Sequence, residues 1–270
     1  MLEKLLLTGA AGAVGQALRP MLPQIARSVV LSDVVAIDDA KPHETFQGCD
    51  LGDKAAVDAL FDGVDGVDGV IHLGGISIEK PFDLILNGNI VGVYNLFEAA
   101  RHHGKPRIIF ASSNHTIGFY RRDQRIDSSV VPKPDTLYGV SKAFGENLAS
   151  LYFDKFGQEC LSVRIGSCFP KPRDRRMLAT WLAVEDLFDL CTRAFDAPRL
   201  GHTIVYGASA NEESWWDNSN AAFLGWQPKH SSAKWRAEVY ATAPVQQPDD
   251  PAVVFQGGGF TALGHPNDEN

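Results

Sequence analysis

A chain of 270 residues can bury one core of the largest single-domain size, and 44% hydrophobic with 21% charged residues excludes a disordered or fibrous protein. The formal net charge of -8 speaks against nucleic acid and anionic membranes as partners, since both demand clustered Lys and Arg, and no run approaches the ~18 apolar residues of a membrane span. Four cysteines, Cys49, Cys160, Cys168 and Cys191, form no C-x-x-C pair and no zinc-like spacing, so they read as reduced structural thiols and no metal site is expected.

The opening MLEKLLLTGAAG holds an apolar run of three leucines, too short for a signal-peptide core, and a cytoplasmic location is expected. Lys4 to Thr8 is the first strand candidate. It runs into Gly9-Ala10-Ala11-Gly12-Ala13-Val14-Gly15 and a helix near residues 13 to 26, an order in which glycines let backbone approach a pyrophosphate at a helix N-terminus. The second strand, Val29 to Asp33, ends on an acid eighteen residues after Gly15, where a carboxylate can accept from adenosine ribose hydroxyls. A 2'-phosphate there would meet like charge at ~4 kcal/mol per unit charge for ~4 Å and an effective dielectric near 20, so the cofactor is expected to be NAD rather than NADP.

Glu44 to Cys49 is the third strand, followed by Asp50-Leu51 as an adenine-binding pair; an N-cap role for Asp50 or Asp53 at a helix near 53 to 61 is the alternative. Gly69 to Leu73 is the fourth strand, and the His72-Leu73-Gly74-Gly75 turn lets cofactor pass close to the chain. A helix near 83 to 103 leads to the fifth strand, Arg107 to Ser112, then Ser113-Asn114-His115. The next helix, near 138 to 156, begins with Tyr138 and carries Lys142 one turn later on the same face. Cys160 to Ile165, a helix near 183 to 195, and His202 to Tyr206 complete the alternation. The whole predicts an α/β fold: a Rossmann-type, doubly wound parallel sheet of about seven strands, with ligands at the carboxyl ends of its strands. Residues 1–165 would mainly form the nucleotide domain. Residues 166–270 would form a small C-terminal substrate lobe interleaved with the last strand. Within it, the segment NEESWWDNSNAAFLGWQPKHSSAKW, with four of the five Trp, reads as a short helix plus connections.

Taken together, TGAAGAVG, Asp33, Asp50-Leu51, HLGG, NIVGVYNLFEA, ASSN and Tyr138-x-x-x-Lys142, twenty-five residues after Ser113, resemble the extended short-chain dehydrogenase/reductase family. The resemblance runs to about residue 210. It implies Tyr138 as catalytic base, Lys142 as its partner and holder of the nicotinamide ribose, and Ser113 (or the adjacent Ser112) as the serine that hydrogen-bonds the reacting oxygen. Phenol near its ordinary pKa of ~10 is a weak base, so the ammonium of Lys142 and the positive nicotinamide ring would have to favour phenolate. Asn89 and Cys168 join the cofactor set by resemblance, though Asn89 can equally brace backbone. A homo-oligomer is implied on the same ground.

Within that family the narrower resemblance is to bacterial members that oxidise carbon 1 of a cyclic hexuronate to an aldarolactone. It rests on Ser77, Ser113-Asn114-His115, RIGSC, PRDRRMLATW and the tail FQGGGFTALGH. It implies that Ser77, Ser113, Asn114, His115, Ser167 and Arg176 contact the sugar acid, with Arg176 on its carboxylate. The charge of +3 from Lys171 to Arg176, in an acidic chain, suits that duty. The rivals are an epimerase or dehydratase that keeps its NAD while acting on a nucleotide sugar, and a silent NAD sensor. About 60 residues after Tyr206 is little with which to enclose a nucleoside diphosphate.

Overall fold

In a computed structural model that describes residues 1–63, 66–244 and 247–268, each of the seven apolar runs forms a strand of one parallel sheet. The first half comprises β1 (Leu2–Thr8), α1 (Ala13–Leu18), β2 (Ala26–Asp33), β3 (Glu44–Gly48), α2 (Lys54–Gly63) and β4 (Gly69–His72). Then follow α3 (Phe82–Ile85), α4 (Gly92–His102), β5 (Arg107–Ser113), β6 (Ile126–Asp127), α5 (Leu137–Phe156) and β7 (Cys160–Ile165). The remainder adds α6 (Met177–Thr180), α7 (Val184–Asp196), β8 (His202–Gly207), β9 (Trp216–Asp217), α8 (Arg236–Thr242) and α9 (Pro251–Val254). The sheet order β3-β2-β1-β4-β5-β7-β8 winds outward from β1 and returns on its other side through β4. Thr8 pairs in register with both Ser32 and His72, so the carboxyl ends of β1, β2 and β4 lie level at the reversal, where a crevice opens.

Alternation along β1 sends Leu5 and Leu7 to one core and Leu6 to the other. Leu18, Leu22, Leu187 and Leu190 close the first core, while Val57, Leu60, Phe61, Leu96, Phe97 and Tyr152 close the second. Each such side chain contributes roughly 1.5–3 kcal/mol by leaving water. All four cysteines are free thiols, and Cys49, Cys160 and Cys191 are buried. No helix among the described residues is long and apolar enough to cross a membrane.

Two helices differ from the sequence reading. The helix expected over 13 to 26 is α-helical only to Leu18 and continues as 3-10 turns from Arg19 to Gln24, because Pro20 and Pro23 lack the amide an α-helix needs. The span 83 to 103 is one helical rod interrupted by a π-turn, Leu86–Val91, between α3 and α4. The Trp-rich segment contributes β9, which pairs in parallel with β6, and a 3-10 turn over Ser219–Leu224. Trp216 stacks on Tyr206 at 5.1 Å, so this small sheet is fastened to the end of β8.

Beneath the carboxyl edge lies a buried ion pair. Arg164 on β7 donates through Nε (2.9 Å) and Nη2 (2.8 Å) to Glu146 on α5, and Glu146 also accepts from Ser112 Oγ at 2.6 Å. Arg164 Nη1 reaches Tyr206 Oη (3.2 Å), which donates to the Asp127 carbonyl (2.8 Å). The network fixes α5 against β5, β7 and β8. Arg164→Ala is expected to cost about 3–5 kcal/mol in denaturant unfolding by stranding a carboxylate, whereas Arg164→Met with Glu146→Leu should recover most of that loss. An unfolding midpoint unmoved in the single variant would contradict this account.

Candidate active site

A cavity of about 1090 Å³ runs along the carboxyl edge of the sheet, from the β1–α1 turn to the C-terminal segment around Phe260. At one end Gly9 takes φ +70°, and a Cβ on it would stand 2.6 Å from the backbone nitrogen of Gly74, so the loops after β1 and β4 meet because residue 9 is glycine. Helix α1 starts at Gly12, which has no side chain to cap the first-turn amides; Gly12, Ala13, Val14 and Gly15 all line the cavity. Asp33 lines it too, its Oδ2 accepting from Ala11 N (3.0 Å) and Oδ1 from Val35 N (3.1 Å). Asp50, Leu51, Leu73, Gly74 and Gly75 complete that end. Asp50 turns its Oδ1 onto Gly52 N at 2.9 Å, and the cap of α2 falls to Asp53, which accepts from Ala55 N at 2.9 Å. Uncapped helix amides beside a carboxylate held at a strand end form a donor set that fits the pyrophosphate and ribose of a dinucleotide.

At the centre stand Tyr138, Lys142 and Ser113, all lining the cavity. The start of α5 is fixed from three sides. Thr136 Oγ1 accepts from Gly139 N (3.0 Å), the Glu79 carboxylate accepts from Leu137 N (3.1 Å) and Tyr138 N (2.9 Å), and a Cβ on Gly139 would overlap the His115 carbonyl. Lys142 Nζ lies 5.7 Å from the Tyr138 ring centroid and 5.1 Å from that of Phe110. Burial pushes the Tyr138 phenol up to about 12, against the Ser113 hydroxyl, which favours phenolate; the Asp135 charge adds to the rise. Burial likewise pushes Lys142 down to about 8, which still leaves it mostly cationic near neutral pH. The lowered phenol expected from the sequence is therefore not a property of the protein alone. In the protein alone desolvation dominates both groups, and the positive nicotinamide ring is the further charge on which the sequence reading relies.

Ser112 and Ser113 part company here. Ser112 Oγ is committed to Glu146, whereas Ser113 Oγ, beside Tyr138, accepts only from the His115 amide at 3.2 Å among the described contacts. Asn89, grouped with the cofactor residues by resemblance, does not line the cavity. The π-turn carries its side chain under the β4 loop, where it accepts from Ile76 N (2.7 Å) and donates to Ile76 O (2.9 Å) and Ser141 Oγ (2.9 Å). Ser141 in turn donates to the Tyr138 carbonyl at 2.7 Å, so Asn89 braces the site from behind.

The far end gathers Ser77, Asn114, His115, Ser167, Cys168 and Arg176. Ser167 shares a hydrogen bond with Thr180 Oγ1 at 2.9 Å, and burial pushes the Cys168 thiol up to about 12. Arg176 donates from Nε to the Gln256 carbonyl (2.6 Å), and the Asn114 amide donates to Ile165 O (3.0 Å) while accepting from Arg176 Nη2 (2.5 Å). Burial lowers the guanidinium to about 10, so it remains a cation at neutral pH. The wall is completed by the C-terminal tail. Fully buried Gln256 accepts from Trp216 Nε1 (2.8 Å) and donates to the carbonyls of Arg121 and Gln124 (3.0 Å each), while Gly258 takes φ +65° where a Cβ would overlap Arg176. Sequence reasoning missed Glu79, Asp135, Gln256 and Phe260 as site residues. The glycine run 257–259 was the one visible sign that the tail approaches something closely.

Comparison with known proteins agrees with this geometry. Residues 5–184 match the model of the NAD dependent epimerase/dehydratase family. The chain is 54% identical to the uronate dehydrogenase of Pseudomonas putida over 97% of both chains. It superposes on the crystal structure of a glucuronic acid dehydrogenase from Chromohalobacter salexigens with a TM-score of 0.97 and 59% identity, covering 100% of each chain. A tyrosine-to-alanine variant of the uronate dehydrogenase from Agrobacterium tumefaciens, complexed with NAD, superposes with a TM-score of 0.94 and 52% identity over 98% of each chain.

Proposed function

This chain belongs to the NAD dependent epimerase/dehydratase family, and from that premise we propose that it is an NAD-dependent oxidoreductase acting on a CH-OH group. It oxidises carbon 1 of the pyranose form of D-galacturonate or D-glucuronate to the aldarolactone. The observation that carries this reading is Arg176: a cationic guanidinium at the substrate end of the cavity whose protein hydrogen bonds go to two neutral amide oxygens, those of Gln256 and Asn114. With Nε and one Nη2 hydrogen taken, Nη1 and the other Nη2 hydrogen are left to grip a sugar carboxylate.

The first-turn amides of α1 and the Asp33 carboxylate hold the dinucleotide, with Leu51 and the Gly74-Gly75 turn against it. When bound, NAD accepts the hydride from carbon 1 and brings a positive ring that favours a neighbouring phenolate. Tyr138 takes the proton of the carbon 1 hydroxyl, Ser113 donates a hydrogen bond to the reacting oxygen, and Lys142 keeps positive charge near the phenol oxygen. Ser77, Asn114, His115 and Ser167 are the polar contacts for the other hydroxyls. Residues 1–165 serve chiefly the nucleotide, and 166–270, apart from α7 and β8, which belong to the sheet and its core, form the substrate lobe. A cytoplasmic homo-oligomer is part of the same reading, and the exposed Leu84, Tyr94 and Leu151 of α3, α4 and α5 offer apolar surface for assembly.

The test is to mix purified protein with NAD and either uronate and follow NADH by absorbance. The reading expects NADH in step with lactone; sugar conversion without net NADH would replace it with an epimerase or dehydratase. Asp33→Ala is expected to raise the KM for NAD about tenfold and to narrow the preference over NADP, because it deletes both the ribose acceptor and the charge that repels a 2'-phosphate. Unchanged kinetics with both cofactors would remove Asp33 from the site.

A further inference from the structure

Among the buried carboxylates that the proposed mechanism does not use, one packs on His115 at the substrate end of the cavity. The Asp135 side chain has no solvent exposure and sits in a slot made by glycine backbone, since a Cβ on Gly118 or on Gly257 would overlap its Oδ2. Burying a carboxylate is costly unless it is well bonded, and this one has two partners: Thr136 Oγ1 donates to Oδ1 (3.0 Å) and His115 Nδ1 lies 2.7 Å from Oδ2. The backbone repeats the link, Asp135 N donating to the His115 carbonyl at 3.3 Å.

His115 is held on every other side. Its ring stacks on Phe260 at 3.9 Å with 18° between planes and meets the Tyr138 ring edge-on at 5.8 Å. Burial depresses its pKa below the usual histidine range, Arg176 adding to the fall and the charges of Asp135 and Glu79 opposing it. A neutral imidazole carries one hydrogen, and a carboxylate at Nδ1 can only accept. His115 lines the cavity and its Nε2 makes no hydrogen bond among the described residues, so Nε2 is the nitrogen left to a ligand. Arg176 at this end only donates and Ser167 is already engaged with Thr180, so His115 adds an acceptor for a sugar hydroxyl to those that Ser77 and Asp174 offer.

We propose that Asp135 is a positioning residue for sugar recognition: it fixes His115 in the Nδ1–H form, so that Nε2 presents an acceptor to one hydroxyl of the hexuronate. The inference rests on the hexuronate reading for its ligand, but not for its ring chemistry. Asp135 touches neither sugar nor cofactor and acts through the imidazole alone.

The experiment uses the full chain with nitrogen-15 histidine, the His115 resonances being assigned by their loss in His115→Gln. In the free wild type, hydrogen is expected on Nδ1 and not on Nε2, and the near-isosteric Asp135→Asn should shift both nitrogens toward a mixture of forms. In kinetics, Asp135→Ala is expected to raise the uronate KM about fivefold to tenfold, with Asp135→Asn between it and wild type, while NAD affinity moves much less. A wild-type Nε2–H form, or an unchanged uronate KM in both variants, would overturn the proposal. Were wild type to yield no NADH from uronates, the substrate reading would fall, and the nitrogen spectrum would still decide whether Asp135 sets the ring.

Discussion

Tyr138→Phe is expected to lower kcat by about 10²–10⁴ while leaving the Kd for NAD nearly unchanged, the range a positioned acid–base group commands. The substitution removes one oxygen and keeps the ring that packs edge-on to His115 at 5.8 Å. Lys142, pushed down to about 8 by burial, is mostly protonated near neutral pH and so replaces the lost base poorly. His115 is a weakened base because burial disfavours its charged form, and Ser113 has no means of holding a proton charge. Because the base form is the phenolate, wild-type kcat should climb with pH until the phenol, lowered by the bound positive ring from the value of about 12 that burial sets in the protein alone, is ionised. That rise should be absent from residual turnover in the variant. Turnover comparable to wild type would refute the assignment, and a parallel loss of NAD binding would point to a misfolded cleft.

Arg176→Ala is expected to raise the uronate KM about a hundredfold, since each hydrogen bond to a charged group contributes about 1.5–3 kcal/mol. A neutral aldose of the same ring configuration should be affected far less, which separates loss of carboxylate recognition from a general collapse of the lobe. Lysine should recover only part of the effect, because a point charge cannot copy the two parallel donors of a guanidinium. The Gln256 carbonyl that now accepts from Arg176 Nε loses its partner in the variant, so a small stability cost accompanies the kinetic one. An unchanged uronate KM would remove Arg176 from substrate binding and with it the main argument for a sugar acid.

Features encoded in adjacent residues were legible from the sequence alone. Gly9 to Gly15, Asp33 at a strand end, and Tyr138 one turn ahead of Lys142 are short-range patterns, and the structure gathers them around one cavity. Strand positions were legible for the same reason, since buried parallel strands are continuous apolar runs. Contacts across the fold were not. Glu79 holds the start of α5 from 58 and 59 residues away, and Gln256 meets Arg176 across 80, with no local pattern to announce either. The π-turn that carries Asn89 behind the wall has no clear sequence mark. The early end of α1 at Leu18 was missed although Pro20 and Pro23 stand inside the expected helix. The nearness of Lys142 was legible from spacing, whereas the rise that burial imposes on the phenol in the protein without cofactor depends on everything packed around the pair.

The central claim is that hydride leaves carbon 1 of a hexuronate for the cofactor held along this cleft. Galacturonate or glucuronate deuterated at carbon 1, turned over with NAD by the wild-type protein, tests it directly by mass spectrometry of the cofactor and sugar products. The account predicts one deuterium in each NADH and none in the lactone. Label retained at carbon 1, or lost to water with the cofactor unlabelled, would contradict it.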